Sequence, residues 1–142
     1  DWLTLFNREG RGDMLDVRAA TVPTRDIAAQ NRRVALPDAP MASAYATRNG
    51  DRLTVVVISR KVPDAGQGGG MDVTIDLPIT AARNVVRYAM TGDYRSQNTR
   101  DDEASLTRTE IPFDDGQTAL HITGFPPASA QMYVFDGVTF DE

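Results

Sequence analysis

With a net charge of −5 and a single lysine, Lys61, this 142-residue chain lacks the clustered cations that binding to nucleic acid needs. Its 41% hydrophobic and 25% charged residues suit one soluble domain that buries a real core, and no apolar run approaches the roughly 20 residues of a membrane-spanning helix. Cysteine is absent, which removes disulfides and thiolate zinc ligands but leaves the compartment open.

The chain begins at Asp1 with a short apolar segment, "DWLTLF", and no charged-then-apolar leader, so it reads as a mature or excised piece. "RGD" at Arg11 to Asp13 matches the cell-adhesion tripeptide, which is too short to carry a function. "MLDVRAA" is a strand candidate, and "RDIAAQNRR" (Arg25 to Arg33) is the one stretch with short-helix character, set in what otherwise looks like loop. Residues 1–40 thus form a linker-like N-terminal segment with one or two strands joining a sandwich. Residues 41–142 form the sandwich core, the whole being a single domain.

The strongest hairpin signal spans Met41 to Ser59. "ASAYATR" and the β-branched "RLTVVVIS" flank Asn49-Gly50-Asp51, and Asn-Gly tolerates the positive φ of a type I′ turn. The near-continuous run Leu53 to Ile58 predicts a strand covered on both sides. "GQGGG" (Gly66 to Gly70) precedes a strand and lacks a following Lys-Ser/Thr, so it is a hairpin connection and no phosphate cradle. "MDVTIDL" then puts Met71, Val73, Ile75 and Leu77 on one face, a clean period of two. "NVVRYAM", "SLTRTEI", "TALHITG" and "AQMYVFD" follow, separated by turn formers; the polar "SLTRTEI" suits a sheet edge. In "FPPAS", Pro126 cannot donate a ladder bond and Pro127 holds it extended, so the pair ends one strand and sends the chain across to the other sheet. About eight strands with turns between them predict an all-β fold, an antiparallel β-sandwich of jelly-roll or immunoglobulin-like Greek-key form.

Chemistry is sparse. His121, the only histidine, lies between Leu120 and Ile122 and points away from their face, as a surface histidine does. Without a second histidine or any cysteine, a transition-metal site would rest on carboxylates, which do not favour zinc. "RDDE" (Asp101 to Glu103) and "FDDGQ" (Asp114 to Gln117) are oxygen-rich and could weakly attract calcium, but they lack the D-x-D-x-D spacing and read as solvated turns; no cofactor is implied. A glycosidase needs two facing carboxyl groups about 5 to 9.5 Å apart. Glu9, Glu103, Glu110 and Glu142 are the only glutamates, none in an aromatic, polar-rich setting, and the chain is short for an eight-fold α/β barrel of about 250 residues. Trp2, Tyr45, Tyr88, Tyr94 and Tyr133 are the aromatics that could stack on a sugar, and of these Tyr94 sits in the polar loop "TGDYRSQNT" with Arg95 and Asn98. Trp2 lies in the apolar N-terminal segment. Tyr94, Arg95, Asn98 and Trp2 are the candidate carbohydrate-binding residues.

Taken in order, "NGDRLTVVVISR", "VTIDLP", "VVRYAMTGDYRSQNT" and "FPPASAQMYVFDG" resemble the β-sandwich that follows the catalytic barrel in clan A glycoside hydrolases of the β-xylosidase-like and α-L-arabinofuranosidase-like groups. The likeness covers about Pro40 to Val138, with Ser59 standing where that pattern has Asn. "DWLTLFNREGRGDMLDV" is similar to the link by which such a chain leaves its barrel. The family's catalytic glutamates belong to the barrel and have no counterpart here. The resemblance implies a non-catalytic accessory domain that packs against and supports a (β/α)8 module of its parent chain, helps shape polysaccharide binding, and works outside the cell or in the periplasm. Its docking surface is expected to be an apolar patch with Trp2, Leu3, Leu5 and Phe6. The alternative is an independent carbohydrate-binding module for a plant or bacterial polysaccharide such as xylan or β-glucan.

Overall fold

The computed structural model describes residues 5, 9–10, 12–15, 18–21, 24–27, 36–40, 42–59, 70–91, 105–114, 116–125 and 129–141; for 18–21, 24–27, 36–40, 91 and 105–106 the description is of backbone alone. Among these residues the strands are β1 (Asp13–Leu15), β2 (Arg18–Thr21), β3 (Thr24–Ile27), β4 (Leu36–Pro40), β5 (Ala42–Asn49), β6 (Arg52–Ser59) and β7 (Met71–Asp76). They continue with β8 (Ile79–Ala81), β9 (Asn84–Thr91), β10 (Ser105–Ile111), β11 (Ala119–Phe125), β12 (Ala130–Asp136) and β13 (Thr139–Phe140). All pairings among them are antiparallel. The fold is all-β.

A large sheet runs β1-β5-β6-β12-β9-β10, and a smaller one runs β11-β7-β2; β13-β8 and β3-β4 are two-stranded ribbons. Alternation on the large sheet sorts side chains onto two faces. Leu53, Val55 and Val57 of β6, with Phe135 of β12 and Val85 of β9, face Val73, Ile75, Leu120, Ile122 and Phe125 of the smaller sheet. Phe113 meets Phe135 edge-on, ring centroids 5.3 Å apart. The β8–β13 ribbon adds Ile79, Val138 and Phe140 to this core, and Phe140 receives the Arg48 guanidinium over its ring at 4.0 Å.

The opposite, outer face of the same sheet carries a second apolar group: Val56, Met132 and Val134, with Tyr88 against them and Leu5 lying on top. That is why β6 is apolar at nearly every position and not at every other one. The expectation of a strand covered on both sides holds.

The hairpin is present, but its register differs by one residue from the expected Asn-Gly turn. Asn49 still pairs with Arg52, so Gly50 and Asp51 make the two-residue connection, with Gly50 at φ 63°. Met71, Val73, Ile75 and Leu77 are all buried, as their spacing predicts. "SLTRTEI" is the edge strand β10. β11 lies in the small sheet and β12 in the large one, so the segment holding Pro126 and Pro127 joins the two layers. β12 is not peripheral; it is central, between β6 and β9.

Two expectations are corrected. Arg25 to Ile27 are strand, paired with Ala39 to Leu36, where the sequence predicts a short helix; the rest of that stretch lies outside the described residues. Isolated propensity yields here to a partner strand. "MLDVRAA" is divided: Met14 and Leu15 pair with β5 in the large sheet, and Arg18 onward pairs with β7 in the small one. In "GQGGG", Gly70 has a packing reason. A Cβ there would come within 2.5 Å of the Gly124 backbone, where β11 bulges and the Gly124 amide donates to the Asp72 carboxylate at 3.1 Å.

Candidate functional site

The outer face of the large sheet is the surface on which apolar side chains collect. Cross-strand register places Tyr45 opposite Val56, Val56 opposite Met132 and Met132 opposite Tyr88, a row across β5, β6, β12 and β9. The next row holds Ser43, Ile58, Ala130 and Met90. Tyr45 is 48% exposed and Ile58 39% exposed, the most open large apolar side chains on the described sheets besides Met14 of β1.

Part of the N-terminal segment already rests on this face. Leu5, expected in an exposed patch, is only 5% exposed because Val56, Met132 and Val134 hold it. Leu5 therefore covers apolar surface and does not present it. Glu9 anchors the same segment: Arg52 Nη1 donates to Glu9 Oε2 at 2.7 Å, and Thr54 Oγ1 donates to the Glu9 carbonyl at 2.6 Å. Arg52 Nε also donates to Asp136 Oδ1 at 2.9 Å. That bond holds the Arg52 guanidinium above its usual pKa, with the Asp136 and Glu9 charges helping and partial burial opposing.

At the corner between β9 and β10 a cavity of about 410 Å³ is lined by Arg83, Asn84, Val86, Arg108, Glu110 and Phe113 among others. Its charges are of both signs, Arg108 standing 3.7 Å from Glu110, so it selects no single ligand charge.

Of the sequence-derived site residues, Trp2, Tyr94, Arg95 and Asn98 all lie outside the described residues, as do Leu3, Phe6 and Asp101 to Glu103. Where it is described, the second acidic turn satisfies itself. Gln117 Nε2 donates to the Ala119 carbonyl at 2.7 Å, and the Gln117 amide donates to the Asp114 carbonyl at 3.0 Å. Among the described residues no three His, Cys, Asp or Glu side chains gather as metal ligands would. His121 is exposed, its Nδ1 3.2 Å from Thr74 Oγ1. Ser59 is buried and its amide donates to the Ser129 carbonyl at 2.9 Å, a tie across the β6–β12 junction. Among the described residues no helix is long and apolar enough to cross a membrane.

Sequence reasoning counted Tyr45 among the aromatics that could stack on a sugar without singling it out, and it missed Ile58 as a surface group and Arg52 as an anchor. The signal for Tyr45 and Ile58 was present: Tyr45, Val56, Ile58 and Met132 are apolar at positions whose neighbours already fill the core.

No family model and no curated protein matches the chain. Among solved structures, the GH51 arabinofuranosidase from Xanthomonas axonopodis pv. citri superposes with a TM-score of 0.54, at 11% identity, over 80% of this chain and 22% of that one. The likeness is one of fold. A GH30 endoxylanase from Clostridium papyrosolvens C71 aligns at 12% identity over 68% of this chain and 20% of its own, with a TM-score of 0.44 that is too low to argue from. The chain spans about a fifth of the length of these solved structures.

Proposed function

We propose that this chain is a non-catalytic β-sandwich of a glycoside hydrolase that packs against and supports a (β/α)8 catalytic module, acting outside the cell or in the periplasm. The observation that carries the reading is the outer face of the large sheet. A sheet face turned to water is ordinarily polar, yet here Tyr45 and Ile58 are open beside Val56, Met132 and Tyr88, over which Leu5 already lies. Surfaces of that kind mark contacts with another body. Support also comes from the fold likeness to about a fifth of an arabinofuranosidase, and from the ordered motifs between Pro40 and Val138.

The docking role has a direct test. The reading frame that encodes this chain should also encode a barrel of roughly 250 residues or more. In that parent protein, Tyr45→Ser with Ile58→Asp should shorten the half-life of glycosidase activity on heating, while the 142-residue chain alone keeps its melting temperature. A parent protein without a barrel, or one whose activity survives the double substitution unchanged, defeats the reading.

A further inference from the structure

The inner face of the large sheet changes character along its strands. One row is Leu53, Phe135, Val85 and Ile111, all apolar. The next is Val55, Tyr133, Arg87 and Thr109; the one after is Val57, Gln131, Ala89 and Thr107. A guanidinium therefore stands on the core-facing side of β9, between the Tyr133 and Thr109 positions. Its Nε is buried without a hydrogen-bond partner, and among the described residues Arg87 pairs with no carboxylate. The other inner-face arginine, Arg48, has the Phe140 ring beneath it. Arg87 has no such ring among the described aromatic contacts.

Its surroundings are polar and poor in acids. Tyr133 and Gln131 are 2% and 5% exposed, and the Tyr133 hydroxyl donates to Gln131 Oε1. That bond leaves the Gln131 amide hydrogens as donors. Burial pushes the Tyr133 phenol above its usual pKa, and the Arg87 charge together with the Arg87 hydrogen bond to the phenol holds back part of the rise. The phenol stays neutral, so it provides no counter-charge.

The site also has an open side. Three strands span about 10 Å between outer strand axes and six span about 24 Å, so the smaller sheet cannot cover the larger. β2, one edge of the smaller sheet, lies against β5. Among the described residues the open inner-face positions are on β10, where Thr107 and Thr109 are exposed, while Val85 and Ala89 of β9 stay buried.

A partly buried cation without a counter-ion costs free energy unless something completes it. The groups present are a planar guanidinium fork, an amide donor and the hydroxyls of two exposed threonines, that of Thr107 already donating to the Ala89 carbonyl at 3.4 Å. Their complement is a planar two-oxygen anion with hydroxyls beside it; a phosphate, with more charge, would find a single cation. We propose that Arg87, with Gln131, Tyr133, Thr107 and Thr109 around it, binds the carboxylate of an acidic saccharide, a uronic-acid unit entering from beneath β9 and β10. That the anion belongs to a sugar rests on the glycoside hydrolase reading. The unpartnered Arg87 Nε does not.

The test is calorimetric titration of the full 142-residue chain with glucuronic and galacturonic acids, their neutral counterparts glucose and galactose, and acetate. The uronic acids should bind, and added salt should weaken them. The neutral sugars should bind at least about tenfold more weakly, since a charge-assisted bond is lost, and Arg87→Gln should weaken the uronic acids by about 10- to 100-fold. Arg87→Lys should retain part of the affinity, because the charge remains and the fork does not. If Arg87→Gln fails to fold, Thr109→Val, at an exposed edge position, supplies the answer: it should weaken uronic acids and leave acetate unchanged. Silence from every ligand overturns the proposal and leaves Arg87 as a structural companion of Tyr133. Acetate binding as tightly as the uronic acids overturns the saccharide assignment alone. The docking reading is untouched by either, because its test lies on the opposite face of the sheet.

Discussion

The two sides of the large sheet's inner face are built to different rules. Beneath the smaller sheet, on β5, β6 and the near end of β12, Leu53, Val55, Val57 and Phe135 sit at or near zero exposure, with Phe113 edge-on to Phe135. Toward β9 and β10 the same layer holds Gln131 and Tyr133 of β12, Arg87 of β9 and two threonines of β10, and at those threonines the layer stands open. A sandwich whose layers differ in width by three strands has one closed flank and one overhang. The closed flank supplies stability, and the overhang is free to carry polar groups that a sealed core would reject.

Substitutions can break or sharpen that contrast. The largest effect belongs to Phe135→Ala, which leaves a cavity against Phe113 and should cost about 3 to 5 kcal/mol in urea denaturation. A loss below about 1 kcal/mol would mean that the closed flank is not the stability centre. Next comes Gly70→Ala, where the added methyl meets the Gly124 backbone at 2.5 Å; a destabilisation of about 1 to 3 kcal/mol is expected from overpacking.

Tyr133→Phe should cost about 1 kcal/mol at neutral pH through the lost bond to Gln131. Its sharper readout is alkaline. Because the folded phenol is raised, the unfolded chain releases its proton first, near the ordinary tyrosine value of about pH 10. Stability from the neutral phenol is complete below that pH and is lost as pH rises through the folded value. Tyr133→Phe should flatten that part of the stability curve, and an unchanged alkaline slope would remove Tyr133 as its source. Smallest of all, Thr109→Ala on the overhang should shift the melting free energy by no more than about 0.5 kcal/mol; a larger loss would show that β10 is packed after all.

What could be read in advance follows from how sharply each segment alternates. Met71 to Leu77 show one apolar face and one polar face, so their burial was plain. The Pro-Pro corner was plain because proline removes a donor and leaves few conformations. "NVVRYAM" misleads, because Val86, Tyr88 and Met90 make a more apolar face than Val85, Arg87 and Ala89. The structure nevertheless turns the second set inward and the first outward, where Tyr88 joins the outer cluster. Neighbouring strands decide that choice, and one segment does not contain their register. "MLDVRAA" failed for a related reason, since its two halves answer to partners in different sheets. The candidate docking face became visible only when Tyr45, Val56, Met132 and Tyr88, far apart in sequence, were aligned across four strands. Trp2, Tyr94, Arg95 and Asn98 stand out by local composition alone, and they lie outside the described residues.

The seat of β12 has a consequence for biogenesis. With β12 missing, the widest layer is two halves, β1-β5-β6 and β9-β10, which among the described strands are paired through residues 130–136 alone. A ribosome must therefore release nearly all of this sequence before the halves can meet, and pairings so distant along the chain are slow to form. Until then the nascent polypeptide exposes two raw β-edges, and crowding by its own copies is the hazard that a slow exit would bring.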